Sequence, residues 1–515
     1  MHDDLFARLE QQPQYKSYLY RFGYLICRQV PRDPHGLLAH WQHTRVRGWS
    51  LLIHPDQRLF LHEVGDRTWF LIGHAMDPIA GEHREEVILA RAAREPEVLA
   101  DLTGVYIAGW LEADAIRVFP DAAAMLMVNY GIWEGQSVIS SHVHLVMSLF
   151  GLEQSEYVRR LTAYRFYHLF GFFLPGDRTA CDALRRLVPN HHLTIRGTEQ
   201  TVTRFYPTED FDTLCASMPL EARADRAAAI LAGTLALIPE KWKNPAITLT
   251  GGCDSKTTLA CAREVRDRYR YFSYASQEAE AVDAEGAAVI CKALGLEHTI
   301  HPIPDALPDT ALVRDIIAAN TGGIGKLPLR EVRKRLYLAR MEGVDVEVKS
   351  WVSEVGRAYF HKRFARSVFP KVPTPRLLTT LYKVFFHDRK LVRETDSIFR
   401  DYLDRYLRPE TLRGFDWIDL FFWEFRMGGW NGLVITGEHR FAFDITIPYN
   451  NRRLLELLLC TPVEDRMTDR LYSLIRQKAD PAVDAAGVAI TNLKHTSRRA
   501  KAENLYLTIH SRLPF

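Results

Sequence analysis

The sequence predicts an α/β protein with an α+β forepart: a layered domain over residues 1–208, then a doubly wound parallel-sheet domain over 209–515 whose last part is helical. Three observations predict it. The chain has 515 residues, enough for two or more domains, each with its own core. The first 206 residues or so read as short strands with interleaved helices. From 246 to 303 the pattern alternates strand, helix, strand, helix, strand, the mark of a parallel sheet.

In the forepart, strands are expected at 50–53, 69–72, 104–110, 115–119, 125–130 and 133–139, and helices at 84–94 and 144–150. The polar stretch 207–217 reads as a linker. Ala227, Ile230, Leu231, Thr234, Leu235 and Ile238 then recur at helical spacing, and Pro239 is expected to stop that helix. Strands follow at 246–250, 270–275 and 298–303. Helices fall at 255–266 and 284–294, the latter with Asp283 as N-cap and Gly295 as its stop. A helix at 328–341, Gly343 and a strand at 344–348 extend the sheet, and helices dominate from 374 onward.

Composition excludes several classes. Hydrophobic residues make up 47% and charged residues 25%, with a formal net charge of +3. That balance is ordinary for a globular protein and too weak to predict a nucleic-acid or acidic-membrane partner. The first residues, MHDDLFARLEQQ, are acidic and amphipathic rather than basic-then-apolar, and no apolar run reaches a membrane-spanning length. Seven scattered cysteines form no CxxC pair, so free thiols in the cytoplasm are expected and a structural zinc site is not.

The chemistry concentrates at Thr250-Gly251-Gly252-Cys253-Asp254-Ser255. A strand ends there and a helix begins, so the loop sits at the carboxyl edge of the predicted sheet, where ligands bind. Two glycines let the backbone approach an anion and adopt unusual φ values. The N–H groups of the helix start attract phosphate, and Thr250 and Ser255 add hydroxyls. Asp254 would repel phosphate unless a cation stands between them, which makes it a natural Mg²⁺ ligand. Lys256 is at the wrong spacing for a Walker A loop.

This loop resembles the SGGxDS signature of the PP-loop ATP pyrophosphatases, with threonine in place of the first serine. The stretches Phe173-Leu174-Pro175-Gly176-Asp177-Arg178-Thr179, Leu184 to Leu193 (LRRLVPNHHL) and Arg204-Phe205-Tyr206 resemble the end of the N-terminal domain of asparagine synthetase-like proteins. That family joins an Ntn-type glutaminase domain, layered αββα, to a PP-loop synthetase domain. The resemblance covers about residues 100–310 and is loose elsewhere. It implies ATP and Mg²⁺ as cofactors, adenylation of a carboxylate, and displacement of AMP by a nitrogen nucleophile.

The sequence departs from that family in informative ways. The glutaminase uses an N-terminal cysteine as nucleophile. This chain begins Met1-His2, and its first cysteine, Cys27, lies in an apolar run and reads as core. No glutamine hydrolysis is therefore expected, as in the similar β-lactam synthetases and lasso-peptide cyclases. The family's second phosphate loop, SGEGADE, should follow the strand at 344–348. Here the stretch is Lys349-Ser350-Trp351-Val352-Ser353-Glu354-Val355-Gly356-Arg357. Glu354 is the candidate second Mg²⁺ ligand, and Ser350, Arg357 and Lys349 are candidates for pyrophosphate. The family's RxPFxD is nearest to Thr446-Ile447-Pro448-Tyr449-Asn450-Asn451-Arg452, where Asn450 and Asn451 would read substrate or cap a turn. For the family's late catalytic lysine, Lys478 and Lys494 are both candidates. Glu424 with Arg426, in the aromatic run 421–430, is a candidate catalytic pair or core packing, and Asp283 with Glu285 would lie near adenosine. The basic stretch 494–501 is a peptide- or phosphate-attracting tail or a solvated helix face.

The expected function is thus an ATP-dependent, amide-forming ligase that releases AMP and pyrophosphate. Its substrates are a carboxylate and an amine, small molecule or peptide; no nucleic-acid or membrane partner is expected, and a homodimer is an admissible assembly. The alternative is a non-catalytic nucleotide-binding or regulatory homologue within a biosynthetic complex. Thiolation or RNA modification is disfavoured by the near-neutral charge and the absence of paired catalytic cysteines.

Overall fold

A computed structural model describes residues 2–169, 171–364, 368–385, 387–488 and 498–512. Twelve strands precede residue 205: β1 Tyr24–Cys27, β2 Gln42–Val46, β3 Trp49–Ile53, β4 Leu59–Val64, β5 Arg67–Met76, β6 Thr103–Leu111, β7 Ala115–Pro120, β8 Asn129–Trp133, β9 Gln136–Ser140, β10 Leu184–Arg186, β11 His191–Arg196 and β12 Glu199–Arg204. They form two six-stranded antiparallel sheets, ordered β10-β8-β9-β1-β3-β2 and β12-β11-β7-β6-β5-β4. Strand periodicity assigns their faces. In β5, Phe70 and Ile72 enter the core that also holds Leu25, Ile26 and Leu51 of the first sheet. Trp69 and Leu71, one residue out of phase, turn the other way and pack on Ile88 and Leu89 of helix Glu85–Ala92.

The remaining strands are β13 Pro245–Thr248, β14 Arg270–Ala275, β15 Thr299–Pro302, β16 Val346–Val348 and β17 Asp444–Thr446. They make a wholly parallel sheet of order β15-β14-β13-β16-β17. Ile247, Val346, Val348 and Ile445 have no exposed surface, as a sheet covered on both faces requires. The order reverses direction between β13 and β16, which opens a crevice beyond their carboxyl ends. The chain is therefore mixed α/β and α+β, with a helical C-terminal part. Among the described residues no helix is long and apolar enough to cross a membrane.

Several local expectations are corrected. The predicted linker carries a helix, Phe211–Ala216. Pro239 does not stop its helix, which runs Leu220–Lys241. A proline there removes the N–H that would serve the Leu235 carbonyl; the Tyr269 hydroxyl donates to that oxygen instead, at 2.5 Å. Asp283 is not an N-cap, because helix Glu278–Ala293 begins five residues earlier. Residues 125–128 are not strand. They wrap the buried Asp121, whose carboxylate accepts the Met125 and Leu126 N–H groups at 2.9 and 3.0 Å.

One continuous core runs from the first sheet into the parallel-sheet region, and buried polar groups fix the junction. Asn450 donates to the Gly104 carbonyl at 2.6 Å and to Asp121 at 2.8 Å. Asn451 caps helix Arg452–Leu459 and donates to the Asp101 carbonyl at 2.6 Å. Arg452 donates to the Pro120 and Asp121 carbonyls. Glu424, on the π-helical stretch Phe422–Asn431, is fully buried and takes both Arg204 Nη atoms, at 2.6 and 2.7 Å, with Asn190 at 3.0 Å. Removing one member of a buried pair strands the other's charge. Glu424→Ala should therefore cost about 3–5 kcal/mol, read as a lowered denaturation midpoint. A variant as stable as the native chain would refute this placement of its role.

Candidate functional site

Strand β13 delivers the chain to the crevice, and Thr250–Gly252 turns it into helix Cys253–Cys261. Thr250 and Ser255 share a hydroxyl–hydroxyl hydrogen bond of 3.1 Å, and Gly252 N–H donates to Thr250 Oγ1 at 3.3 Å. Gly252, the N-cap, lies at φ −74°, and neither glycine adopts left-handed geometry, contrary to expectation. Close approach is their requirement instead: a Cβ on Gly251 would meet Val488 Cγ1 at 3.3 Å, and one on Gly252 would meet Thr250 Oγ1 at 3.2 Å. The helix start carries no side-chain cap, so its first-turn N–H groups suit an anion.

A cavity of about 310 Å³ lies over this loop. Thr248, Thr250, Asp254 and Ser255 form one wall, and Lys349, Ser350, Trp351 and Glu354 form the opposite one. Ser273, Tyr274, Glu280 and Asp283 close the side beyond β14. That volume is within the usual range of about 300–1,000 Å³ for ligand sites.

The electrostatics centre on Asp254. One of its oxygens accepts from Arg357 Nη1 at 2.6 Å; the other, Oδ1, is buried with no partner. Arg357 is forked onto Asp469 at 3.0 and 2.9 Å, and Lys362 adds a third bond to Asp469 at 2.6 Å. Burial opposes the ionisation of Asp469, yet its bonds to Arg357 and Lys362 outweigh burial and hold it below the usual carboxylate range. Asp254 is different: burial raises it despite Arg357. Burial, and then the charge of Asp254, push Glu354 up to about 7. Glu354 also has a buried oxygen, Oε2, with no partner. Two carboxylates whose proton affinity is raised by burial, and which each keep an orphaned oxygen, form a donor set that suits Mg²⁺, an ion bound through one or two carboxylates plus phosphate oxygens and water. In the wall opposite the loop Lys349 Nζ is buried and pairs with Glu347 at 2.6 Å; Thr248 donates to the same carboxylate.

The structure gathers Thr250, Asp254, Ser255, Ser350 and Glu354 around one cavity, with Gly251 and Gly252 in its loop and Arg357 bonded to Asp254. It does not bring Glu424 or Lys478 to the lining. Glu424 is sealed against Arg204, because a carboxylate with no exposure needs that partner. Lys478 lies on helix Arg470–Ala479 and pairs with Asp225 at 2.7 Å. Lys494 lies outside the described residues, as does the first half of the basic stretch 494–501; its second half begins helix Arg498–His510. Arg426 parts from Glu424 and stacks 4.4 Å over Trp430. Lys256 turns away, donating to the Val488 carbonyl at 2.5 Å. Cys27 is core in β1, its thiol pushed up to about 12 by burial. Asp469, Lys362 and Glu280 were not singled out from the sequence. Asp469 and Lys362 are revealed only by the bonds that Arg357 and Lys362 both make to Asp469 across the fold, and Glu280 only by its place in the lining.

No protein-family model matches the sequence, and no curated protein sequence does either. Among solved structures, one similar chain is described as the allosteric regulatory enzyme of purine biosynthesis, at 10% identity and a TM-score of 0.21. The match covers 46% of this chain and 58% of that one, so the chain spans little more than half its length. Another is glutamine phosphoribosylpyrophosphate amidotransferase from B. subtilis in complex with ADP and GMP, at 11% identity and a TM-score of 0.21, covering 68% of this chain and 74% of that one. Similarity at that level carries no argument about fold or activity.

The raised Glu354 gives a signed pH prediction. A carboxyl whose folded pKa exceeds its unfolded value contributes stability that is present below the unfolded pKa and lost as pH rises through the folded one. For Glu354 that window runs from the ordinary carboxylate range to about 7. A divalent cation needs the deprotonated form, so Mg²⁺ affinity should rise with pH up to about 7 and binding should release protons. Calorimetry in buffers of different ionisation enthalpy reads the released protons. Glu354→Gln should reduce the release and flatten the pH dependence; an unchanged profile would count against the assignment.

Proposed function

We propose that the chain is an ATP-dependent ligase of the asparagine synthetase-like type, which adenylates a carboxylate and passes it to an amine without hydrolysing glutamine. The observation that carries this reading is the pairing of Asp254 and Glu354, each with an orphaned buried oxygen, across a cavity floored by a phosphate-suited helix start. Magnesium–ATP, when bound, supplies an electrophilic α-phosphorus and a pyrophosphate leaving group. Asp254 and Glu354 would hold the metal. Thr250, Ser255, Ser350 and the first-turn N–H groups would hold phosphate oxygens. Arg357 limits the mutual repulsion of the two acids by pairing with Asp254, and Asp469 keeps Arg357 in place.

With Lys478 paired to Asp225, Lys349 is the buried cation in the cavity wall suited to the charge that develops as pyrophosphate leaves. Glu347 positions its ammonium group. The separation of Glu424 from the cavity removes it from this scheme.

One observation favours the non-catalytic alternative. Asp254 is already engaged by Arg357, as in a site that binds nucleotide and goes no further. The two readings differ in one assay. Exchange of labelled pyrophosphate into ATP, screened across carboxylates, should appear with at least one substrate. Asp254→Asn should lower it by a factor of about 100 or more, as expected when a group that stabilises developing charge is lost, with the circular dichroism spectrum unchanged. Bound nucleotide with no exchange for any carboxylate would support the alternative. No nucleotide binding in the presence of Mg²⁺ would reject both.

A further inference from the structure

A second cavity lies in the seam between the first antiparallel sheet and the helical part. It has about 40 Å³ of space, enough for a small ion and a water, since one water needs about 10–15 Å³ on this measure. Asn129 of β8 and Arg186 of β10 line it from one side, with Arg178 and Val143. The segment Asn320–Ile324 and the helical residues Gly429 and Leu433 line it from the other.

Arg186 is the anomaly. It is 4% exposed, and among the described residues it has no carboxylate partner. One nitrogen, Nη2, donates to the Gly176 carbonyl at 3.0 Å; the other, Nη1, is buried and unsatisfied. The neighbouring acid Asp177 is consumed elsewhere, by Arg405 at 2.7 Å and the Tyr406 hydroxyl at 2.8 Å. Arg178, whose Nη1 lies 3.8 Å from the exposed Asp182, brings a second guanidinium to the same cavity, and its Nε is also buried and unsatisfied. A buried, uncompensated guanidinium costs several kcal/mol, and two unsatisfied N–H donors add to it. Burial lowers the pKa of Arg186, but a guanidinium stays charged at any ordinary pH. The other polar side chains in the wall are spoken for: Thr179 donates to the Cys181 and Leu184 carbonyls, and Asn320 is bonded to the backbone of Tyr18 and Tyr20.

We propose that this cavity binds one chloride-sized inorganic monoanion, held by Arg186 and Arg178, which joins the antiparallel layers to the helical part. With so little space, a single-atom anion and one water are the occupants that fit the cavity best. Asn129 Oδ1, also buried without a partner, is an acceptor and would repel the ion directly; a single water donating to both satisfies it. A Cβ on Gly429 would stand 3.1 Å from Phe173 Cδ2, so glycine lets the helical part close against this wall, with Arg186 Nη2 in ordinary contact at 3.4 Å. The anion contributes to the stability of the seam and takes no part in chemistry at the crevice, so this inference stands apart from the ligase reading.

The test measures the thermal midpoint of the full chain in sodium chloride, sodium bromide and sodium gluconate at equal ionic strength. Chloride and bromide should raise it saturably by about 2 °C or more over gluconate, and Arg186→Met should abolish the difference. Midpoints equal in all three salts, or a halide effect that survives Arg186→Met, would overturn the proposal. Should that variant not fold, crystals of the native protein soaked in bromide decide the matter. An anomalous peak within reach of Arg186 Nη1 supports the site, and water density alone refutes it.

Discussion

The crevice depends on one chain of charge: Asp254 to Arg357, Arg357 to Asp469, Asp469 to Lys362. Without it two carboxylates could not stand together in a half-dry cavity, because burial and mutual repulsion both favour the protonated forms. Asp469 sits 112 residues from Arg357 along the chain, so the clamp ties the helical part to the loop after β16. The result is a wall with two carboxylate oxygens left unpaired on a cation-neutralised frame. A frame of that kind is costly unless something binds to it. That cost is the physical basis for reading the crevice as a site rather than a turn.

The same logic governs the seam. Glu424, Arg452, Asn450 and Asn451 are buried, Arg204 is half-buried, and each is tied across the boundary between the antiparallel layers and the rest. Such groups add little net stability as pairs but forbid other docking arrangements, since any shift would strand them. The crevice loop lies directly beyond this junction: Asn450 and Tyr449 follow β17, and the Tyr449 hydroxyl donates to the Asp254 carbonyl at 3.4 Å. The antiparallel layers thus act as a scaffold that holds one wall of the crevice in register.

Legibility in the sequence followed range. Thr250 to Ser255 was readable because strand, turn and helix signals and the polar residues all lie within a few positions. Ser350, Glu354 and Arg357 were readable through the resemblance, which places a second phosphate loop after this strand; a parallel strand delivers that loop to the same edge. The paired glycines were read for unusual φ, and the structure shows close packing against Val488 and Thr250 instead, which no local pattern could reveal. Glu424 reads locally as either catalytic or core packing, and Asn450 and Asn451 as substrate readers or caps; Asn451 does cap its helix, and the partners that settle Glu424 and Asn450 lie more than 200 residues away in the chain. Asp469 and Lys362 carried no local signal at all. Pro239 was misread because its missing N–H is compensated by a tertiary hydroxyl from Tyr269.

The most direct measurement is electron paramagnetic resonance of Mn²⁺ in place of Mg²⁺, recorded with the protein alone and with ATP. If Asp254 and Glu354 hold the metal of a nucleotide, ATP should tighten Mn²⁺ binding, and Asp254→Asn and Glu354→Gln should each weaken that ternary signal while circular dichroism stays native. Tight Mn²⁺–ATP binding unaffected by either substitution would place the metal elsewhere and contradict the account.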